Sequence, residues 1–152
     1  MPRSKTATGF FRPNNPQKYR GNPTNIVFRS QWELTCMRYF DSSSSIIEWQ
    51  SEERAIPYLD PVSGNLRRYF PDFVIKVKTK SGLIKTHMIE VKPYAQTLPP
   101  KKTDKKKQKT LLNEVKTYAT NTAKWKAAKA FCEKRGWTFK ILTEKEIYGL
   151  SI

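Results

Sequence analysis

The stretch RRYFPDFVIKVKTKSGLIKTHMIEVK, residues 67–92, decides the fold that this sequence predicts. In its first half, apolar and polar residues alternate, which is typical of a β-strand with one buried face, so we predict a strand over about 67–78. Ser81-Gly82 then forms a hairpin turn, and a second strand is predicted over 83–92. Because a hairpin joins them, the two strands are expected to pair in an antiparallel sheet.

The segments on either side of this hairpin predict helices. Ser30-Gln31-Trp32-Glu33 has the Ser-x-x-Glu form of a capping box, and the apolar residues after it have helical spacing, so a helix is expected to run to about Asp41. Apolar residues recur every three or four positions from 111 to 132, which predicts a second amphipathic helix ended by Gly136. A break near 120–122, where Thr or Asn could cap a second segment, is left open.

Further strands complete a mixed α/β layer. One strand region begins at Ile46 and includes residues 55–58, and turn-forming residues at 60–65 link it to the central hairpin. A last strand is predicted over 137–142, followed by a short final helix. The predicted order is α-β-β-β-α-β, a mixed central sheet flanked by helices.

The composition restricts the class of protein. The chain has 152 residues, the size of one domain, and its 29 Lys and Arg residues against 13 Asp and Glu give a net charge of +16. A polyanion is therefore the expected partner, and the 38% of hydrophobic residues excludes a disordered basic tail. We see no apolar run of membrane-spanning or signal-peptide type. With two Cys and one His, neither a disulfide framework nor a Cys/His zinc site is expected.

Most of the positive charge lies in two stretches that are rich in proline or polar residues. Residues 1–30 carry six basic and no acidic residues, and residues 101–109 carry six lysines and one aspartate. We predict that 1–28 form a flexible basic arm and that 29–152 form one domain with a basic loop at 97–109. Both stretches could simply be solvated, but we favour contacts with nucleic-acid phosphates. The candidate contacts are Arg12, Lys18, Arg20, Lys101, Lys102, Lys105, Lys106, Lys107 and Lys109.

Asp72, Glu90 and Lys92 are the residues best placed to carry chemistry. The predicted strand pairing can bring the Asp72 and Glu90 carboxylates to roughly 5 Å from each other. Lys92 follows Glu90 by two positions and so shares its face. Two such carboxylates can share Mg²⁺, and a lysine beside them suits phosphodiester hydrolysis. The alternative is an ordinary charge cluster on a solvated face, but the apolar residues around both acids favour the metal site.

Glu33 has two explanations. As the last residue of a capping box, it needs no catalytic role. A helix packed across the sheet could also present this carboxylate to the same cation as Asp72 and Glu90. From the residues alone, capping is the better supported explanation.

Taken together, helical Glu33, Asp72 and Glu90-x-Lys92 resemble the motif of the PD-(D/E)XK nuclease superfamily. The segment IPYLDPVSGNLRRYFPDF, residues 56–73, is similar to the TnsA-like branch of that superfamily. Three longer stretches resemble the head completion nucleases of T-even-type tailed phages, and the resemblance covers nearly the whole chain from about residue 14. They are NPQKYRGNPTNIVFRSQWE, KPYAQTLPP and NTAKWKAAKAFCEKRGWTFKILTE.

The resemblance implies a restriction-endonuclease-like core and a metal-dependent DNA endonuclease that prepares filled phage heads for joining to tails. Carried over by position, it makes Asp72 and Glu90 ligands of Mg²⁺ or Mn²⁺, Glu33 an outer or direct ligand, and Lys92 the catalytic lysine that positions the attacking water. It also reverses the preference at Glu33, where we now favour the ligand.

The same resemblance implies partners and a location. The partners would be double-stranded DNA and proteins of the phage head and neck at the portal vertex, without a membrane or a small-molecule cofactor. The location would be the virion neck or head vertex, and the host cytoplasm during assembly.

Two competing hypotheses are a non-catalytic DNA-binding structural protein of the virion neck and a basic RNA-binding protein of the ribosomal type.

Overall fold

The computed structural model describes residues 7–150, which form α-helices and β-strands in mixed order. In chain order the elements are β1 Gly9–Phe11, β2 Ile26–Phe28, α1 Gln31–Ser42, β3 Ile46–Ser51, β4 Ile56–Leu59, β5 Leu66–Tyr69, β6 Phe73–Lys78, β7 Ile84–Val91, α2 Gln108–Arg135, β8 Thr138–Leu142 and α3 Glu144–Ile147. Two short 3₁₀ helices, Pro16–Lys18 and Tyr94–Thr97, lie between them. Over the described part of the chain, no helix is both long and apolar enough to cross a membrane.

The centre of the fold is a four-stranded sheet in the order β3-β6-β7-β8. β6 pairs antiparallel with β3 and β7, whereas β8 lies parallel to β7, because α2 carries the chain back to the same end of the sheet. Read along the chain, α1, β3, β6, β7, α2 and β8 give the order α-β-β-β-α-β. The predicted fold class, a mixed sheet flanked by helices of restriction-endonuclease type, is confirmed.

Apolar side chains cover both faces of this sheet. The buried core on the α1 side comprises Phe11, Tyr19, Ile26, Trp32, Cys36, Met37, Phe40, Ile46, Trp49, Phe73, Ile75, Ile89 and Ile147. The buried core on the α2 side comprises Ile56, Tyr58, Tyr69, Met88, Ala128 and Cys132. Since neighbouring residues of a strand point to opposite faces, β7 contributes Ile89 to the first core and Met88 to the second.

The predicted strand over 67–78 is two strands in the structure. β5 pairs with β4 in a separate hairpin, and β6 alone enters the central sheet. Pro71 lies between them and has no N–H group to donate to a strand ladder, which explains why the pairing stops there. The turn at 60–65 therefore closes the small β4–β5 hairpin.

The long helix α2 runs without a break from Gln108 to Arg135. The Thr122 hydroxyl donates to the backbone oxygen of Tyr118 one turn earlier, so this side chain does not cap a second segment. Gly136 ends the helix with a φ of 71°, a left-handed conformation that favours glycine.

The prediction of a flexible arm over 1–28 is wrong for residues 7–28, which contain ordered elements. β1 pairs with β2, and the Tyr19 ring packs edge-on against Trp49 with a centroid distance of 4.8 Å. The backbone N–H groups of Asn14 and Asn15 donate to the buried Asp41 carboxylate at 2.8 and 3.0 Å. These contacts fix the segment against α1. Residues 1–6 of the predicted arm lie outside the described residues.

Candidate active site

The strand register of β6 and β7 brings Asp72 and Glu90 together. Phe73 pairs with Ile89 at the end of the ladder, and the same antiparallel register, continued by one residue, sets Asp72 opposite Glu90. Residues opposite each other across a ladder project from the same face of the sheet. The predicted juxtaposition of the two acids is therefore what the structure has.

Glu90 lies in a polar contact network although the residue is only 7% exposed. The Tyr69 hydroxyl donates to Glu90 Oε1 at 2.7 Å, and Lys92 Nζ lies 3.8 Å from Glu90 Oε2. Burial and the adjacent Glu90 carboxylate raise the pKa of Tyr69, so this phenol keeps its proton and acts as a hydrogen-bond donor. Both oxygens of Glu90 thus have a partner that fixes their direction.

Asp72 is held against β7 by one strong hydrogen bond. The Val91 backbone N–H donates to Asp72 Oδ2 at 2.7 Å. Burial, followed by the neighbouring Glu90 and Glu33 carboxylates, raises the pKa of Asp72 well above its usual range, against the opposing effects of the Val91 N–H and Lys92. The site therefore concentrates more negative charge than its own residues neutralise.

Glu33 takes part in capping and also lies near the site. The Glu33 backbone N–H donates to Ser30 Oγ at 3.1 Å, and Glu33 Oε1 accepts from the Arg29 N–H at 3.1 Å. Burial is the main cause that raises the pKa of Glu33, and its carboxylate contributes to the raised pKa of Asp72. The first turn of α1 thus directs this acid towards the same end of the sheet.

Lys92 is positioned by its backbone at the point where β7 ends. Its N–H donates to the Leu142 oxygen at 3.0 Å, which continues the pairing of β7 with β8. The side chain is half-buried, and its ammonium group points back to Glu90. A lysine held there can contact a phosphate or a water bound at the two carboxylates without a change of conformation.

The donor chemistry of the site fits a hard divalent cation. Within residues 7–150, no three His, Cys, Asp or Glu side chains form a ready-made metal group, so Glu33 is near Asp72 and Glu90 without completing a three-ligand cluster. The Asp72–Glu90 pair nevertheless offers carboxylate oxygens, which Mg²⁺ and Mn²⁺ prefer. A bound cation would also offset the burial and the repulsion from acidic neighbours that together raise the pKa of Asp72.

Tyr69 is a site residue that the sequence interpretation did not identify. It lies on β5, three residues before Asp72, with its side chain buried towards the sheet. The Lys124 ammonium of α2 lies 5.7 Å from the Tyr69 ring centre. Tyr69 reaches Glu90 from β5, which is separated from β6 at Pro71. Because the sequence predicted one continuous strand there, it did not indicate this contact.

The basic residues predicted to bind DNA differ in how they are placed. The loop lysines and Arg12 are exposed, apart from half-buried Lys106, which donates to the Lys101 oxygen and pairs with Glu114 at 2.7 Å. Lys109 is also exposed, but it lies in α2, so the predicted loop over 97–109 ends before Gln108. Arg20 is exposed and pairs with Glu48. The exposed members of the predicted set are Arg12, Arg20, Lys101, Lys102, Lys105, Lys107 and Lys109.

Lys18 has a structural role that the sequence interpretation missed. Its ammonium group donates to the backbone oxygens of Asp41 and Ser43 at 2.9 and 2.8 Å. These carbonyls lie at the carboxyl end of α1, where a cation is favoured by the helix dipole. The group that was predicted to contact phosphates is therefore engaged within the chain.

Comparisons with known proteins find a matching family model and a similar protein. Residues 43–144 match the model of the family described as TnsA-like endonuclease, N-terminal, a range that includes Asp72, Glu90 and Lys92 but not Glu33. The chain is also similar to the head completion nuclease of Enterobacteria phage T4, with 43% identity over 148 residues, which cover 94% of this chain and 95% of that protein.

Proposed function

The chain belongs to the TnsA-like endonuclease family, and from that premise we propose that it is a divalent-metal-dependent endodeoxyribonuclease acting in phage head completion. One observation carries the proposal: Asp72, Glu90 and Lys92 converge at one end of the β6–β7 ladder, with the pKa of Asp72 raised by its burial and its acidic neighbours. A surface charge cluster of no function would have little reason to bury Glu90.

Asp72 and Glu90 would hold Mg²⁺ or Mn²⁺, and Glu33 would act from α1 as an outer ligand. When bound, such an ion supplies a water of lowered pKa and a positive charge for the phosphate oxygens. Tyr69 fixes the orientation of Glu90 through its hydrogen bond, and the Val91 N–H does the same for Asp72. The chain thus sets both carboxylates before DNA arrives.

Lys92 would orient the attacking water and offset charge on the phosphate as the bond to the leaving oxygen breaks. Its ammonium group is beside Glu90, and its backbone is fixed by Leu142, so the group stays at the centre of the site. A preorganised donor of this kind lowers the barrier because little reorganisation is needed during the reaction.

Double-stranded DNA is the proposed substrate. The exposed lysines of the 97–109 loop and Arg12 and Arg20 would contact its backbone, which gives affinity but little sequence preference. The name of the phage T4 relative supports a role in head completion. The proposed partners are head and neck proteins at the portal vertex, and the proposed location is the virion neck or head vertex, with the host cytoplasm during assembly.

Cleavage of supercoiled plasmid with Mg²⁺, Mn²⁺ or EDTA tests the proposal. We expect nicked or linear DNA with either metal and none with EDTA, and activity should return when excess Mg²⁺ is added back. Binding of DNA without cleavage under all three conditions would favour the structural neck protein. Cleavage that continues in EDTA would contradict the metal requirement.

A further inference from the structure

A cavity of about 650 Å³ lies between the segment that follows β7 and the helix α2. One wall is the 3₁₀ helix Tyr94–Thr97 and the loop that follows it, and the other is the amino-terminal half of α2. None of the catalytic side chains proposed above lines this cavity. It is large enough to hold a planar heterocycle with part of a sugar.

Asn121 gives this cavity a specific chemistry. The residue is only 8% exposed and lines the cavity, and within residues 7–150 its side-chain amide makes no hydrogen bond to the protein. A side-chain amide without a protein partner has two donors and an acceptor oxygen to offer. The Asn121 amide is therefore available to donate to and accept from a ligand in the cavity.

The other lining residues fit a nucleotide. Gln96 and Asn113 add two more amides, and Tyr118 adds an aromatic ring. Amides pair with the edges of bases, and aromatic rings stack on their faces. Exposed Lys101 borders the same cavity and supplies positive charge for a phosphate, whereas Lys106 is paired with Glu114, which also lines the cavity.

Both walls of the cavity belong to segments that also carry residues close to the carboxylate site. Gln96 follows Lys92 by four residues, so the first wall continues the chain shortly after the catalytic lysine. On the second wall, Lys124 is one helical turn after Asn121 and lies 5.7 Å from the ring centre of Tyr69, whose hydroxyl contacts Glu90. A DNA strand held at the carboxylates would therefore have a neighbouring nucleotide at the mouth of the cavity.

We propose that this cavity receives an unstacked nucleobase of the strand that is cut, next to the scissile phosphate. The inference rests on the proposed nuclease function and adds the structure of the preferred substrate. Taking a base out of a paired duplex costs free energy, and the cost is least where the base is already unpaired. The enzyme should therefore cut DNA with an unpaired nucleotide faster than fully paired DNA of the same sequence.

Chemical protection of a single unpaired thymine tests the cavity without cleavage. In EDTA, the wild-type protein at saturation should reduce permanganate oxidation of that thymine roughly fivefold, because one or two hydrogen bonds hold the base in the cavity. Asn121→Leu, which has nearly the same shape, should lose most of the protection at equal occupancy. Gln96→Ala should lose part of it, whereas Gln17→Ala, an exposed glutamine of the other 3₁₀ helix, should match the wild type.

Cleavage rates with Mg²⁺ complete the test. The wild type should cut the substrate with the unpaired thymine at least roughly fivefold faster than its paired counterpart, and Asn121→Leu should reduce that ratio. Equal rates on both substrates without thymine protection would overturn the cavity inference and leave the nuclease function intact. Thymine protection without any cleavage would instead contradict the nuclease function alone. If Asn121→Leu does not fold, the comparison of Gln96→Ala with Gln17→Ala decides.

Discussion

At the scale of single residues, the charge state of Asp72 is the feature that most separates a metal site from an ordinary ion pair. Its pKa is raised by burial and by Glu90 and Glu33. An aspartate whose pKa is higher in the folded than in the unfolded protein destabilises the fold as the pH rises from the unfolded value through the folded one. The acid is thus retained at a cost to stability, as expected of a group whose partner is a cation.

Asp72→Asn should accordingly stabilise the protein when no metal is present. We expect an increase of roughly 1 kcal/mol in the free energy of unfolding at pH 8 in EDTA, because the substitution removes a buried negative charge. The gain should be smaller at pH 5 than at pH 8, because the raised pKa makes the wild-type carboxyl take up its proton earlier as the pH falls. Thermal unfolding at the two pH values measures this, and a variant less stable than wild type at pH 8 would contradict the explanation.

Added Mg²⁺ provides an independent test of whether Asp72 binds a metal ion. The ion should raise the melting temperature of the wild type and have little effect on Asp72→Asn, because a ligand stabilises only the state that binds it. An equal increase for both proteins would show that the ion binds elsewhere.

Tyr69 offers a second test at this scale. Tyr69→Phe removes the hydroxyl that donates to Glu90, and we expect the cleavage rate to fall roughly tenfold or more, as for other residues that orient a metal ligand. Tyr58→Phe is the matched control, since Tyr58 is also buried on the α2 side and its ring also faces Lys124. Equal reductions in both variants would mean that the Tyr69 hydroxyl has no specific role.

At the scale of elements, the sequence predicted helices and strands well where a local signal alone sets the start or end of the element. Ser30 caps the start of α1 and Gly136 ends α2, as the sequence predicts. The capping box itself is not completed, because the Glu33 carboxylate accepts from the Arg29 N–H instead of the Ser30 N–H. The patterns were insufficient where distant residues compete. The proline-rich segment before α1 looked like an arm because the pairing of β1 with β2 and the contacts to Asp41 depend on residues far along the chain.

Lys18 is an example of a residue whose role depends on distant contacts, and it leads to a prediction. Lys18→Met should lower the free energy of unfolding by about 1 kcal/mol, because it removes two hydrogen bonds to the end of α1, while DNA affinity stays the same. Arg12→Met, at an exposed position, should leave stability unchanged. Denaturant unfolding and DNA binding, measured on both variants, check this. A stable Lys18→Met protein with weakened binding would restore the original phosphate-contact prediction.

The basic loop is the second element whose role can be measured. Replacing Lys101, Lys102 and Lys105 with Gln should weaken DNA binding and flatten its salt dependence by up to about three units of slope, since each lysine that neutralises a phosphate contributes about one. Lys78, Lys80 and Lys85, exposed at the far end of the β6–β7 hairpin, give a control triple with the same reduction of charge. Equal effects of both triples would indicate general attraction instead of a DNA-contacting loop.

At the scale of the whole molecule, the fold and the family could be predicted from the sequence. Its motifs and the alternation of apolar and polar residues along its strands indicate the same fold. The mixed sheet and the resemblance to TnsA-like and head completion nucleases are both confirmed. The pairing of Asp72 with Glu90 followed from the hairpin between β6 and β7. What could not be predicted is the contribution of separate elements, such as Tyr69 from β5 and the cavity beside α2, because it depends on tertiary packing.

The most direct test of the central claim compares cleavage and DNA binding for the wild type, Asp72→Asn and Lys92→Ala, with Lys80→Ala as the control for removal of a lysine. With Mg²⁺, we expect cleavage by Asp72→Asn and Lys92→Ala to fall by at least about a hundredfold, in the range for groups that stabilise a transition state. Binding in EDTA should be equal or tighter for Asp72→Asn, and Lys80→Ala should cut like the wild type. Undiminished cleavage by Asp72→Asn would contradict the assignment of this site.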